Sequence, residues 1–174
     1  MTLLNIHTIP DPVLKSIALP VDQIGAQTAR LIDDMVQTIR SFPHCVGIAA
    51  PQVGKKQRII VVDASLALRP VANHGLLCLI NPRIVRREGS RPGREGCLSI
   101  PDFTGNVVRA ESIEVEALTP EGVSVSLTST GFEAVVLQHE IDHLDGILFL
   151  DRVASLKTDV FRRKSCIDNP LKKG

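Results

Sequence analysis

One stretch constrains the fold of this chain more than any other. Between Gly131 and Gly146 the sequence reads GFEAVVLQHEIDHLDG. Val135, Val136, Leu137 and Ile141 make it apolar on several faces, and Ser129 or Thr130 stands ready to cap a helix ahead of it. A helix that is apolar all round crosses a core rather than lying on one. Within it, His139-Glu140-Ile141-Asp142-His143 puts two imidazoles four residues apart on one face, with a carboxylate beside the first. That is two-thirds of a catalytic metal site, which normally has three protein ligands and one open position.

The usual third ligands lie downstream, and the sequence lacks them. The extended His-Glu-x-x-His-x-x-Gly-x-x-His pattern has its glycine, Gly146, but position 149 is phenylalanine. Glu140 is the last glutamate and His143 the last histidine. Asp145, Asp151, Asp159 and Asp168 remain, with Asp151 alone in strongly apolar surroundings. Upstream stand His7, His44, His74 and four cysteines. Cys78 sits in an apolar strand pattern and reads as core, and Cys166 is near the C-terminus. Cys97 follows Glu95-Gly96 in a loop where glycine permits close approaches, and Cys45 precedes Val46-Gly47 in a second such loop. Spacing alone favours Cys97 only modestly over Cys45.

The rest of the chain describes what surrounds this helix. Its 174 residues suit one domain, 1–174. A hydrophobic content of 44% with 22% charged residues is an ordinary globular balance, and a net charge of +1 gives no argument for a DNA partner. No run of about 18 apolar residues is present to span a membrane, and the N-terminus lacks the pattern of a signal peptide, so a cytoplasmic location is expected. The four cysteines form no C-x-x-C pair and fit a reducing compartment.

Three prolines between residues 9 and 20 predict an extended or turned segment. Leu31, Ile32, Met35, Val36, Ile39 and Phe42 recur at helical spacing, so an amphipathic helix is expected from about Gln23 to Phe42. RIIVVDA and LLCLINPRIV read as buried strands. A Gly/Arg-rich stretch ahead of EGCLSIP reads as a loop. Ile113, Val115 and Ala117 alternate with Glu114 and Glu116, and Pro120-Glu121-Gly122 turns that strand into VSVSLTS as a hairpin. SLKTDVFRRKSCI predicts a second amphipathic helix within a C-terminal helix and tail at about 155–174. The expected class is α+β: mixed or antiparallel strands packed around the central His-Glu-x-x-His helix, with N-terminal and C-terminal amphipathic helices.

Three segments in order, CVGIAAPQVG, EGCLSIP and QHEIDHLDG, resemble the peptide deformylase family. IPDPVLKSIALPV and LFLDRV are similar to further stretches of that family, so the resemblance covers nearly the whole chain. It implies that Cys97, His139 and His143 hold one divalent metal per chain. Fe(II) is expected in the cell, with Zn(II), Ni(II) or Co(II) in purified samples; such a donor set does not suit calcium or magnesium. It implies hydrolysis of the formyl group from the N-terminal methionine of a new polypeptide, releasing formate. A metal-activated water would attack, with Glu140 as general base and acid.

By the same resemblance the Gln52 side chain and the Leu98 backbone N–H stabilise the oxyanion. Val46, Gly47, Ile48, Glu95, Gly96, Phe132, Val135 and Val136 would contact substrate, Gly47 letting its backbone lie alongside as an added strand. Glu95, Arg109 and Asp142 would form an ion-pair cluster orienting the ligands. Cys45, Gly93 and Phe132 depart from the family's usual residues and bear on the shape of the pocket. In some members a C-terminal helix docks at the ribosome. Arg162, Arg163, Lys164, Lys172 and Lys173 make that partner an expectation here, beside the N-formylmethionyl peptide.

Overall fold

The computed structural model describes residues 2–163. Its framework is a five-stranded antiparallel sheet and a three-stranded one, with two α-helices. The larger sheet has the order β1-β2-β3-β6-β7, from Gly47–Ala49 (β1), Ile59–Asp63 (β2), Leu76–Glu88 (β3), Ser112–Leu118 (β6) and Ser124–Thr130 (β7). The smaller sheet pairs Arg91–Cys97 (β4) with Ile100–Arg109 (β5), and β5 with Val160–Arg162 (β8).

Side chains alternate across a strand, and β2 shows what that does. All five of its residues are buried. Ile59 and Val61 pack on one face, with Leu31, Ile32, Met35, Val36 and Ile39 of helix α1 (Ala26–Ser41). Ile60 and Val62 pack on the other, with Ala134, Val136, Leu137, Ile141 and Leu144 of helix α2 (Gly131–Leu144). A strand covered on both faces needs no polar residue, which is why RIIVVDA reads as a continuous apolar run. Helix α2 is buried almost throughout from Glu133 to Leu144. A third apolar cluster, with Leu14, Cys97, Ile100, Val107, Leu148 and Phe149, underlies the smaller sheet.

The β6–β7 hairpin pairs Ser112 with Thr130 through Leu118 with Ser124. Helix α1 begins at Ala26, three residues after Gln23, with Gly25 as its N-cap. Thr130 is the N-cap of α2, but its side chain makes no capping bond; Ser129 Oγ instead donates to Glu133 Oε2 at 2.7 Å.

Two expectations are overturned. The Gly/Arg-rich stretch is strand β4, not a loop. Arg91, Pro92, Gly93 and Arg94 face solvent, so no alternation marks the strand, and the backbone of β5 sets its pairing. The C-terminal amphipathic helix is absent over 155–163. Turns lead instead into β8, whose Val160, Phe161 and Arg162 pair with Gly105, Thr104 and Phe103. A helix there would have to bury Leu156, which is 68% exposed, whereas β8 gives the backbone groups of β5 a partner. Lys164, Cys166, Lys172 and Lys173 lie outside the described residues. Among the described residues, no helix is long and apolar enough to cross a membrane.

Candidate metal and active site

Three elements from different parts of the chain converge on one buried point. The i, i+4 spacing on α2 sets the rings of His139 and His143 5.0 Å apart, nearly edge-on. Strand β4 delivers Cys97 at its last position, where the β4–β5 pairing slips after Gly96. The 3₁₀ turn Ala50–Val53, which follows β1, delivers Gln52. Cys97 Sγ lies 3.3 Å from His143 Nε2, and the ligand atoms of Cys97, His139 and His143 all fall within 4.8 Å of one another. Tetrahedral bonds of ordinary Zn–S and Zn–N length would set such donors about 3.4–3.6 Å apart, so the set fits a single small divalent ion. One thiolate and two imidazoles are also the donor chemistry of iron, zinc, cobalt and nickel rather than of calcium or magnesium.

The surroundings fix the rings. His139 Nδ1 sits 2.8 Å from Glu95 Oε2, which leaves Nε2 for the ion. Phe149 stacks on His139 with ring centroids 6.4 Å apart; this is the position that the longer metallopeptidase pattern gives to a third histidine. Arg109 grips both oxygens of Glu95 at 2.8 and 3.0 Å and reaches Asp142 with its third nitrogen. Arg152, which sequence reasoning missed, closes the chain of charges on Asp142 at 2.7 and 3.0 Å. Burial alone would raise the Glu95 carboxyl, but hydrogen bonds and charge from His139 and Arg109 outweigh it and hold the group at about 2. Burial and the neighbouring His139 push His143 well below its ordinary value, toward the neutral form that ligates metals.

Glu140 stands beside this set. Burial raises its carboxyl to about 7, and its Oε2 is buried without a hydrogen-bond partner among the described residues. The Gln52 amide is locked: Oε1 accepts from Ala49 N–H at 2.9 Å, and Nε2 lies 3.1 Å from Ser99 Oγ and 3.3 Å from Cys97 Sγ. Ser99 is a second residue that sequence reasoning missed: it lies within EGCLSIP, but nothing in that segment gave it a role.

A cleft of about 500 Å³ opens over these groups. Val46, Gly47, Gln52, Glu95, Gly96, Cys97, Leu98, Phe132, Val135, Val136, His139 and Glu140 line it. Cys45 lines it too, with a thiol that burial pushes up to about 12. Ile48 is a correction. On a strand, the neighbour of a cleft-facing residue points away, and Ile48 is fully buried against α1 rather than in the cleft. Arg163, expected on a basic helix face, lines the cleft with Arg94, and only composition hinted at either.

Fold and donor set together define a class: an α+β domain whose cysteine and two histidines meet at the floor of a cleft with one apolar wall, beside a glutamate without a partner among the described residues. The chain belongs to the polypeptide deformylase family, whose sequence model matches residues 3–159. It is an enzyme of that family, whose members remove N-formyl groups from nascent peptides. A peptide deformylase from Thermodesulfovibrio yellowstonii is 43% identical over 164 residues, covering 94% of this chain and 97% of the relative. One from Halothermothrix orenii is 47% identical over 156 residues, covering 90% and 97%. The crystal structure of peptide deformylase from Thermotoga maritima superposes with a TM-score of 0.81 at 33% identity, covering 89% of this chain and all of that one. That of a Legionella pneumophila deformylase does so at 0.81 and 38%, covering 90% and 89%.

Proposed function

We propose that this enzyme hydrolyses the formamide of N-formylmethionyl peptides, with Cys97, His139 and His143 holding one divalent ion, Fe(II) in the cell. The observation that carries this reading is the unpartnered Glu140 carboxylate in the same cleft as the Cys97/His139/His143 set. The ion would supply Lewis acidity and lower the pKa of a water to about 7. Zinc, nickel or cobalt would satisfy the same donors in a purified sample.

The chain's own groups do the rest. Glu140 takes a proton from the attacking water as its oxygen bonds to the formyl carbon. The carbonyl oxygen gains charge, and Gln52 Nε2 and the Leu98 N–H donate to it. Glu140 then returns the proton to the nitrogen as the C–N bond breaks, leaving formate and a free amine. Val46, Phe132, Val135 and Val136 offer an apolar wall for the methionine side chain. Glu95, held by Arg109, keeps the His139 ring in place.

The test is formate release from a formyl-Met tripeptide by anaerobically prepared, Fe(II)-loaded protein. Turnover that disappears in Glu140→Ala, with one ion still bound per chain, is the expected result. Equal turnover in the variant would overturn the assignment of the base. No formate from wild type would overturn the substrate.

A further inference from the structure

Two arginines line the cleft, Arg94 and Arg163, and among the described residues neither is in an ion pair. Arg94 lies with its guanidinium carbon 3.7 Å from the centre of the Phe161 ring, and its Nε donates to Asn106 Oδ1 at 2.9 Å. Stacking and that one bond fix the plane of the group and leave the outer nitrogens free to donate. Arg163 is anchored by its backbone N–H on Asp102 O at 2.8 Å. Its guanidinium packs against Gly96, where a Cβ would collide with Nη2, and its Nε is buried without a partner among the described residues. Arg30, Arg40, Arg69, Arg87 and Arg162 likewise have no ion pair among the described residues, but none of those five lines the cleft, whereas Arg109, Arg152, Arg91, Arg83, Arg86 and Arg58 have carboxylates. The cleft that Arg94 and Arg163 line also holds Gln52, Cys97 and Glu140.

A buried guanidinium N–H left unpaired is costly, and a planar fork suits a carboxylate. We propose that Arg94 and Arg163 form a carboxylate-binding rim, so that the enzyme prefers N-formylmethionyl peptides with an aspartate or glutamate at one of the two positions after methionine. This rests on the deformylase reading above. Strand β8 is what makes the rim, because it carries Phe161 under Arg94 and leads directly into Arg163. A carboxylate reaches the rim from an acidic side chain or from the free C-terminus of a short peptide; on a long nascent chain only the side chain is near.

The experiment compares kcat/KM for C-terminally amidated formyl-Met-Ala-Glu, formyl-Met-Glu-Ala, their lysine counterparts and the neutral formyl-Met-Ala-Ala, the last also as its free acid. Wild type should favour the better glutamate peptide over its lysine counterpart by about tenfold, chiefly through KM, and less so as salt is raised. In Arg94→Gln/Arg163→Gln that ratio should fall to about one, whatever the variant's absolute rate, and Arg94→Lys should restore part of it. Preference for the free acid without preference for glutamate side chains would overturn the proposal, restricting the rim to chain ends. So would equal wild-type rates on glutamate and lysine peptides, or a ratio retained in the double variant. Turnover of the neutral peptide keeps the deformylase reading standing in each of those cases; silence on every peptide sinks both.

Discussion

Glu95 Oε2 lies 2.8 Å from His139 Nδ1, and the same carboxylate is held by two nitrogens of Arg109. Glu95 thus has two dependants, an imidazole whose other nitrogen faces the donor set and a buried cation. Replacing it by glutamine keeps the shape and removes the charge. Loss of a bond to a charged group costs about 1.5–3 kcal/mol, and loss of such support for a ligand typically lowers metal affinity about 10–100-fold. Urea unfolding and competition with a chelator measure the two effects separately.

The same substitution has a pH signature. The Glu95 carboxyl is held at about 2, against an ordinary 4.5. A group with a depressed folded-state pKa contributes stability that is full above its unfolded value and is lost as pH falls through the folded one. Wild type therefore exceeds Glu95→Gln most at pH 7, and the gap narrows between pH 4.5 and about 2. Unfolding free energies at pH 7, 4 and 3 check this; a gap that widens toward acid contradicts it.

Gln52 has its acceptor side occupied by the Ala49 N–H, so its donor side is the one turned toward Cys97 and Ser99. Gln52→Ala should lower kcat about 10²–10³-fold, as loss of one oxyanion donor does elsewhere. Metal content should stay at the wild-type value, because Gln52 is not among the three donors. Steady-state kinetics with metal analysis on the same sample decides it. A fall in bound metal equal to the fall in rate would mean that Gln52 acts through Cys97.

The parts of this molecule that were legible in sequence are those in which burial dictates residue type. The run Ile59 to Val62 is apolar throughout because both faces of β2 are covered, and α1 keeps its stripe because one face is wet. His139 and His143 were legible because helical spacing alone brings them together, and Glu140 because it adjoins the first of them. Arg91 to Arg94 read as a loop because an edge strand with solvent-facing side chains needs no pattern. Leu156 and Val160 fit a helical stripe as well as they fit a turn and strand, and pairing with β5 decided between them. Arg152 and Ser99 were illegible for another reason: each is defined by what it reaches across the fold, Asp142 in one case and Gln52 in the other.

Gly146 follows α2 with φ of +69°, and a Cβ there would fall 2.6 Å from the carbonyl oxygen of Lys15. Both the left-handed backbone and the collision with another backbone segment count against a side chain. Gly146→Ala should destabilise the protein by at least about 2 kcal/mol, lowering Tm by about 4–8 °C. Thermal unfolding of the metal-free protein reads this without interference from ligand binding.

Gly47 offers a prediction in which two roles separate. Sequence reading has Gly47 giving room to the substrate backbone; the structure adds that a Cβ there would stand 2.6 Å from Glu140 Oε1 and 3.0 Å from its Cδ and Cγ. The obstructing atoms are the end of a side chain, so the fold can accommodate Gly47→Ala by swinging the carboxylate aside. If displacement of the base dominates, kcat falls, by about 10²-fold for a shift near 1 Å, while KM changes little. If contact with the substrate backbone dominates, KM rises and kcat holds. We expect the first, because the clash with Glu140 is present in the free enzyme and must be relieved before any peptide arrives. The measurement is kcat and KM for Gly47→Ala on one formyl-Met tripeptide, with Tm and metal content as controls. An unchanged kcat with a raised KM would return Gly47 to the role of a substrate contact alone.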